Sequence, residues 1–142
     1  MEKTLVAGVI GWDAHVIGLR VLEYALRKAG FKVIDLGIFV SQREFIEAAV
    51  EANADAILVS SLYGHGYIDC MGFRQKCEEA GLNDILLYVG GNLVPTSEFD
   101  WENTERLFKE EGFDRVYPST VPLTAVINDL RRDLKMNRTT GE

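Results

Sequence analysis

The chain is poor in cysteine, proline and histidine, with two, three and two of these among 142 residues. Cys70 and Cys77 are separated by six residues, a spacing that matches no common zinc motif and no disulfide framework. We therefore predict two reduced thiols packed on a helix. No apolar run approaches the roughly 18 residues that a membrane-spanning helix needs, and the residues after Met1 do not show the apolar segment and cleavage site expected of a signal peptide. The sequence thus predicts a soluble, cytoplasmic protein that does not enter a membrane.

Positive charge is also scarce, because the chain has 15 basic and 22 acidic residues and a net charge of −7. Binding to phosphate backbones needs a basic patch, so we expect no nucleic-acid partner. Apolar residues make up 47 % of the chain, which is typical of a globular protein with a real core. The length suits one domain. We assign residues 1–134 to that domain and residues 135–142 to a flexible C-terminal tail.

Short apolar runs alternate with helical patterns five times along the chain. The runs predict buried parallel strands at 4–10, 32–36, 56–60, 86–89 and, more weakly, 115–117. Ser41 and Glu44 form a capping-box pattern before the second helix. A clear amphipathic stripe from Leu123 to Leu134 follows Pro122. This alternation predicts a single α/β domain of flavodoxin-like, doubly wound topology, with five parallel strands in the order 2-1-3-4-5.

Ligands of such sheets bind at the carboxyl ends of the strands, so the loop after the first strand is the first candidate for a ligand site. It contains Asp13 and His15. A neutral imidazole is a good ligand for a transition metal, and a nearby carboxylate can orient its other ring nitrogen. One histidine cannot hold zinc alone, so the metal must arrive with most of its coordination filled, as in a corrin. The plainer alternative is a loop histidine that Asp13 holds as a structural cap.

Two further segments lie at the same predicted edge of the sheet. Ser60 and Ser61 could hydrogen-bond a heterocycle while Leu62 packs on its face, although ordinary turn chemistry would explain them equally well. Gly90 and Gly91 would let a flat ligand approach bare backbone, or could mark a tight turn. His65, between two glycines, is read as a solvated loop residue or a partner contact.

Together these residues carry a family signature. Asp13-x-His15-x-x-Gly18, Ser60-x-Leu62 and Gly90-Gly91 resemble the three-part motif of cobalamin-binding domains. The stretches 60–70 and 113–118 resemble more narrowly the small (sigma) subunits of glutamate mutase, also called methylaspartate mutase. The resemblance extends from about residue 5 to residue 134.

The resemblance implies that adenosylcobalamin binds base-off, with His15 as the lower axial ligand of cobalt and Asp13 on the other ring nitrogen. Gly18 would let the first helix begin close to the nucleotide tail of the cofactor. No catalytic residue beyond the cobalt ligand is expected in this chain. The implied cofactor-binding residues are Trp12, Asp13, Ala14, His15, Val16, Gly18, Ser60, Ser61, Leu62, Gly90, Gly91, Asn92, Leu93, Val94, Pro95 and Thr96.

One flavodoxin-like domain can cover only one face of a corrin, and radical chemistry needs the other face enclosed. The resemblance implies a larger, barrel-shaped catalytic subunit that binds L-glutamate, in a heterotetramer of two small and two large subunits. The reaction implied is the rearrangement of L-glutamate to threo-3-methyl-L-aspartate. Trp12, Tyr67 and Met71 depart from the expected pattern, which bears on the substrate and the partner.

Two alternatives stay open at this point. The first is a corrinoid shuttle or B12-binding module for methyl transfer or sensing. The second is a flavodoxin-like interaction domain without cobalamin. A receiver domain is disfavoured, because the acidic pair expected after its first strand is absent.

Overall fold

The computed structural model describes residues 3–10, 17–61, 69–91, 101–118 and 120–139, with side chains described except at 17, 18 and 135–139. The strands are β1 (Thr4–Val9), β2 (Lys32–Asp35), β3 (Ala56–Ser61), β4 (Leu86–Gly91) and β5 (Arg115–Pro118). The helices are α1 (Ile17–Lys28), α2 (Gln42–Ala52), α3 (Phe73–Glu79), α4 (Trp101–Glu110) and α5 (Leu123–Thr139). In these ranges no helix combines the length and apolarity needed to cross a membrane.

All strand pairs of the sheet are parallel, and the order is β2-β1-β3-β4-β5. The predicted α/β fold and strand order are confirmed. The strand register aligns Ser60 with Gly90 and Gly90 with Tyr117. Because the strands run in one direction, the ends of β3, β4 and β5 meet at one edge of the sheet.

The local signals act as expected where the structure describes them. The Ser41 side chain accepts a hydrogen bond from the Glu44 backbone N–H at 3.1 Å, and the Glu44 side chain accepts one from the Ser41 N–H at 2.9 Å. This capping box satisfies two backbone donors that would otherwise lack partners at the start of α2. The last helix continues to Thr139, past the predicted domain end. The flexibility of residues 135–142 stays a prediction.

Two different cores cover the two faces of the sheet. The α2–α4 face, covered by α2, α3 and α4, is packed with the rings of Phe45, Phe73, Phe108 and Phe113. Each neighbouring pair in this group has ring centroids 5.8 or 5.9 Å apart in tilted or edge-on geometry. The α1–α5 face, covered by α1 and α5, is mainly aliphatic and includes Tyr88 and Tyr117. The candidate site lies on this second face.

Candidate functional site

Part of the predicted site lies within the described residues. Gly18 is the second residue of α1, and the serine and glycine pairs close β3 and β4. The other predicted site residues lie outside the described residues: Trp12, Asp13, Ala14, His15, Val16, Leu62, Asn92, Leu93, Val94, Pro95 and Thr96. The roles assigned to all of these residues, including His15 as a cobalt ligand, stay predictions.

The serines and glycines that the sequence singled out are direct neighbours across the sheet. Ser60 aligns with Gly90 and Ser61 with Gly91 in the β3–β4 register. Gly91 has φ of +114°, and a Cβ atom there would lie 2.0 Å from the Ser61 carbonyl oxygen. No side chain fits in that space, so backbone geometry alone requires glycine at position 91.

Gly90 has a different role. A Cβ atom at this position would lie 3.4 Å from the Cβ of Tyr117, which is an ordinary van der Waals contact. The backbone would therefore tolerate alanine. Because Gly90 has no side chain, open space remains on the α1–α5 face between the ends of β3 and β5.

That space is part of a cavity of about 200 Å³ at the carboxyl edge of the sheet, which we call the α1–α5 cavity. Ser60, Gly90 and Gly91 line it, as do residues from both flanking helices. Ser61 is almost fully buried and does not line it, so a direct role for Ser61 stays a prediction. Ser60 near the end of β3 and the two glycines at the end of β4 thus line one apolar cavity.

Sequence reasoning missed most of the cavity wall. Its helical and aromatic members are Leu19, Leu22, Tyr88, Tyr117, Leu123 and Val126. In the sequence, the leucines and valine look like the buried stripes of amphipathic helices, and nothing local separates a core position from a cavity wall. Tyr88 and Tyr117 were the available signals, because a tyrosine in a buried strand presents an aromatic ring with a polar tip.

A network of hydrogen bonds and ion pairs lies on the α1–α5 face, between the sheet and α5. The Tyr88 hydroxyl donates to Asp133, and the Tyr117 hydroxyl donates to Asp129 at 2.7 Å. Arg115 donates to both carboxylate oxygens of Asp133, at 2.8 and 2.9 Å, and lies 3.6 Å from Asp129. These hydrogen bonds from Arg115 hold the pKa of Asp133 below its ordinary value. Burial, followed by the hydrogen bond to aspartate, raises the pKa of each tyrosine, so both hydroxyls keep their protons.

The two thiols lie in the core of the opposite face. Cys70 and Cys77 are free and buried, as predicted. Burial raises the pKa of Cys77 to about 11 and that of Cys70 further still. Both thiols are therefore protonated at neutral pH and poor nucleophiles. Within the described part of the chain, no group of three or more His, Cys, Asp or Glu side chains is placed to hold a metal ion.

The dimensions and chemistry of the α1–α5 cavity suit a flat, largely apolar ring system. An apolar cavity of roughly 150 Å³ accommodates benzene. The α1–α5 cavity is somewhat larger, about 200 Å³, and has apolar walls with the Ser60 residue at its edge. The nucleotide base of a corrinoid, a heteroaromatic ring with few polar atoms, is compatible with such a space.

Comparison with known proteins decides the family. The model of the B12 binding domain family matches residues 3–121. The glutamate mutase sigma subunit of Carboxydothermus hydrogenoformans is 57 % identical over 133 residues, covering 94 % of this chain and 96 % of that protein. The chain belongs to the glutamate mutase sigma subunits, within the B12-binding domain family. The sigma subunit of Fusobacterium nucleatum is 50 % identical over 135 residues, covering 95 % of this chain and 98 % of that one.

Solved structures agree on the fold of this sigma-subunit family member. A cobalamin-binding protein from Desulfitobacterium hafniense superposes with a TM-score of 0.74 at 22 % identity, covering 92 % of this chain and 58 % of that longer one. The B12-binding match contains Ser60, Gly90, Gly91 and Tyr117, while the cavity residues of α5 lie beyond its end. The resemblance inferred from the three-part motif is confirmed.

Proposed function

We propose that this chain is the cobalamin-binding subunit of a glutamate mutase, and that the α1–α5 cavity receives the nucleotide tail of the cofactor. The observation that carries the proposal is this cavity, open at the carboxyl edge of the sheet beside Ser60 and Gly90, in a member of the B12-binding family. A tail seated there would keep the cofactor's own base away from cobalt and leave a coordination position that a protein side chain could fill.

His15 is the proposed lower ligand of cobalt, and Asp13 the proposed acceptor for the other imidazole N–H. A carboxylate partner fixes the tautomer of a metal-bound histidine and raises its basicity. Trp12, Ala14 and Val16 would flank the corrin. Gly18 belongs to the start of α1, where a residue without a side chain lets the helix pass close to the tail.

The rest of the proposed tail site follows from the two central strands. Ser60 supplies a hydroxyl at the edge of the cavity, and Leu62 would extend the wall beyond the end of β3. The segment made of Asn92, Leu93, Val94, Pro95 and Thr96 would continue it beyond β4. Gly90 provides the space, and Gly91 allows the positive φ and the close approach to the Ser61 backbone at the end of β4.

When bound, adenosylcobalamin supplies the organic radical that starts a carbon-skeleton rearrangement. The described residues offer no arginine-lined pocket at the cavity for a dicarboxylate such as L-glutamate. We therefore assign substrate binding to a larger catalytic subunit that covers the exposed face of the corrin and excludes water. The overall reaction proposed is the interconversion of L-glutamate and threo-3-methyl-L-aspartate, in an assembly of two small and two large subunits.

Binding and cobalt ligation can be tested on the isolated chain. The purified protein is titrated with adenosylcobalamin while the visible absorption spectrum is recorded. We expect a spectrum in which a histidine has replaced the cofactor's own base, and we expect His15→Gly to abolish it. His65→Gly is the matched control, since it removes the other histidine of the chain. Identical spectra for His15→Gly and the unaltered protein would refute the ligand assignment.

The reaction itself needs the partner. The loaded chain is mixed with a glutamate mutase large subunit and L-glutamate, and methylaspartate is measured. Product formation supports the mutase. Cofactor binding without product, with a large subunit that is active beside a known sigma subunit, would favour a corrinoid carrier for methyl transfer or sensing.

A further inference from the structure

The wall of the α1–α5 cavity nearest α5 is held by charged groups that do not themselves line the cavity. Tyr88 and Tyr117 line it, whereas Arg115, Asp129 and Asp133 are not among its lining residues. The two tyrosine rings have centroids 5.8 Å apart in edge-on geometry. This separation of roles raises the question of what the charged groups do.

Each tyrosine ring is anchored at its hydroxyl by a carboxylate on α5. Asp129 and Asp133 are four residues apart and lie on one side of the helix, where they accept from Tyr117 and Tyr88 respectively. An ionised carboxylate can only accept, so both hydroxyl protons point toward α5. The tyrosines therefore present carbon surface to the cavity and keep their polar tips elsewhere.

Arg115 makes this arrangement stable. Its bidentate contact with Asp133 and its proximity to Asp129 offset two negative charges that are only about one-sixth exposed. Charge-assisted, bidentate pairs are stronger and more directional than neutral hydrogen bonds. Arg115 aligns with Tyr88 in the sheet and lies two residues before Tyr117, so it connects both rings to the same helix.

We infer that Arg115, Asp129 and Asp133 are positioning residues that fix the rings of Tyr88 and Tyr117 as a rigid wall for the nucleotide tail of cobalamin. This inference rests on the proposed function. It assigns part of the tail affinity to a network that does not touch the cofactor. Loss of one anchor leaves a ring free to move into the cavity, so the affinity for the tail falls while contacts to the corrin are kept.

Cobinamide, which has the corrin ring but lacks the nucleotide tail, isolates this effect. Dissociation constants of cobalamin and cobinamide are measured by absorption titration, and their ratio reports the contribution of the tail. The unaltered chain should bind cobalamin more tightly. Tyr117→Phe and Asp129→Ala should each weaken cobalamin binding by about three- to tenfold, the worth of one hydrogen bond, and leave cobinamide binding unchanged. Asp129→Asn, whose amide oxygen still accepts, should recover part of the loss.

Asp114→Ala is the matched control. Asp114 pairs with Arg74 of α3 at 2.9 Å and accepts from the Leu87 N–H, so its removal also breaks an ion pair and a hydrogen bond, but toward the α2–α4 face and outside the lining of the cavity. It should lower the melting temperature and leave the cobalamin-to-cobinamide ratio unchanged. An equal fall of the ratio in Asp114→Ala, or no fall in Tyr117→Phe, would overturn the inference.

The outcomes also separate this inference from the proposed function. If the unaltered chain binds neither corrinoid, the proposed function fails and the positioning role with it. If it binds cobalamin but the cobalamin-to-cobinamide ratio is as large in Tyr117→Phe as in the unaltered chain, only the positioning role fails. Should Asp129→Ala not fold, Tyr117→Phe decides alone, because it removes a single oxygen atom.

Discussion

The two faces of the sheet are packed differently: aromatic rings fill one, and aliphatic side chains leave a cavity on the other. The α2–α4 face is filled by interlocking phenylalanine rings such as Phe45, Phe73 and Phe113. The α1–α5 face has an aliphatic core that stops short of the carboxyl edge and leaves a cavity of about 200 Å³. Close packing yields stability, whereas an unfilled volume costs stability and makes room for a ligand. One face thus stabilises the domain and the other carries the candidate site.

The largest expected effect comes from breaking the packed face. Phe73→Ala should lower the free energy of unfolding by about 3–5 kcal/mol, because Phe73 is fully buried and its ring contacts two other rings. Urea denaturation measures the change, and cobalamin affinity should stay the same in the folded fraction. Val50→Ala, at a half-exposed position of α2, is the control and should change the stability by less than about 0.5 kcal/mol. A similar cost in both variants would contradict the division between the faces.

The second effect concerns a buried carboxyl on the other face. Glu23 on α1 is 2 % exposed, and burial together with the nearby charge of Asp35 raises its pKa from 4.5 to about 7, against the smaller opposing effects of Arg27 and Arg20. Between these two values the unfolded chain loses the proton while the folded chain keeps it. The contribution of Glu23 to the free energy of unfolding is therefore fully present below about pH 4.5 and is lost as the pH rises to about 7.

This contribution should amount to about 3–4 kcal/mol, because the pKa rises from 4.5 to about 7 and each tenfold change in proton affinity corresponds to about 1.4 kcal/mol. Glu23→Gln cannot lose this proton. From pH 5 to pH 8 the unaltered chain should therefore lose stability relative to the variant. Chemical denaturation at several pH values measures it. Parallel stability curves would show that Glu23 is ionised in the folded chain.

The third effect concerns Gly91, one of the two neighbouring glycines at the edge of the cavity. Gly91→Ala should cost roughly 1–3 kcal/mol, because φ of +114° is strained for alanine and the new Cβ would lie 2.0 Å from the Ser61 carbonyl oxygen. Thermal denaturation should show the loss. Unchanged stability would mean that β4 can separate from β3 at little cost.

The smallest effect on stability is expected at Gly90. Gly90→Ala makes only an ordinary contact with Tyr117, so stability should change by less than about 0.5 kcal/mol. The added methyl group occupies part of the cavity, and cobalamin affinity should fall about tenfold, since overpacking costs about 1–3 kcal/mol. Cobinamide serves as the control ligand and should bind as before. Full cobalamin affinity in Gly90→Ala would place the tail elsewhere.

Local signals were enough to predict the fold. Ser41 and Glu44 cap α2 as their spacing indicates, and the runs of β-branched residues became the five strands in the expected order. Each of these features depends on residues close together in the chain or on a general rule of topology. The same applies to Ser60 and Gly90, whose positions at strand ends placed them at one edge.

The cavity wall depends instead on contacts between distant residues, and the sequence does not display them. The Tyr88 hydroxyl meets Asp133, 45 positions along the chain. Leu22 and Val126 look like ordinary core residues of amphipathic helices, yet both face a cavity. A hydrophobic stripe indicates which face of a helix is covered but not how completely the space beneath it is filled.

The most direct test of the account is electron paramagnetic resonance of the chain loaded with cobalamin in its cobalt(II) form. The unpaired electron of cobalt couples to the nucleus of the axial nitrogen, so the splitting pattern identifies the atom bound. Protein labelled with ¹⁵N-histidine should convert a triplet splitting into a doublet, and His15→Gly should lose the effect of the label while His65→Gly keeps it. A triplet that persists in fully labelled protein would mean that the cofactor's own base still binds cobalt, which contradicts the account.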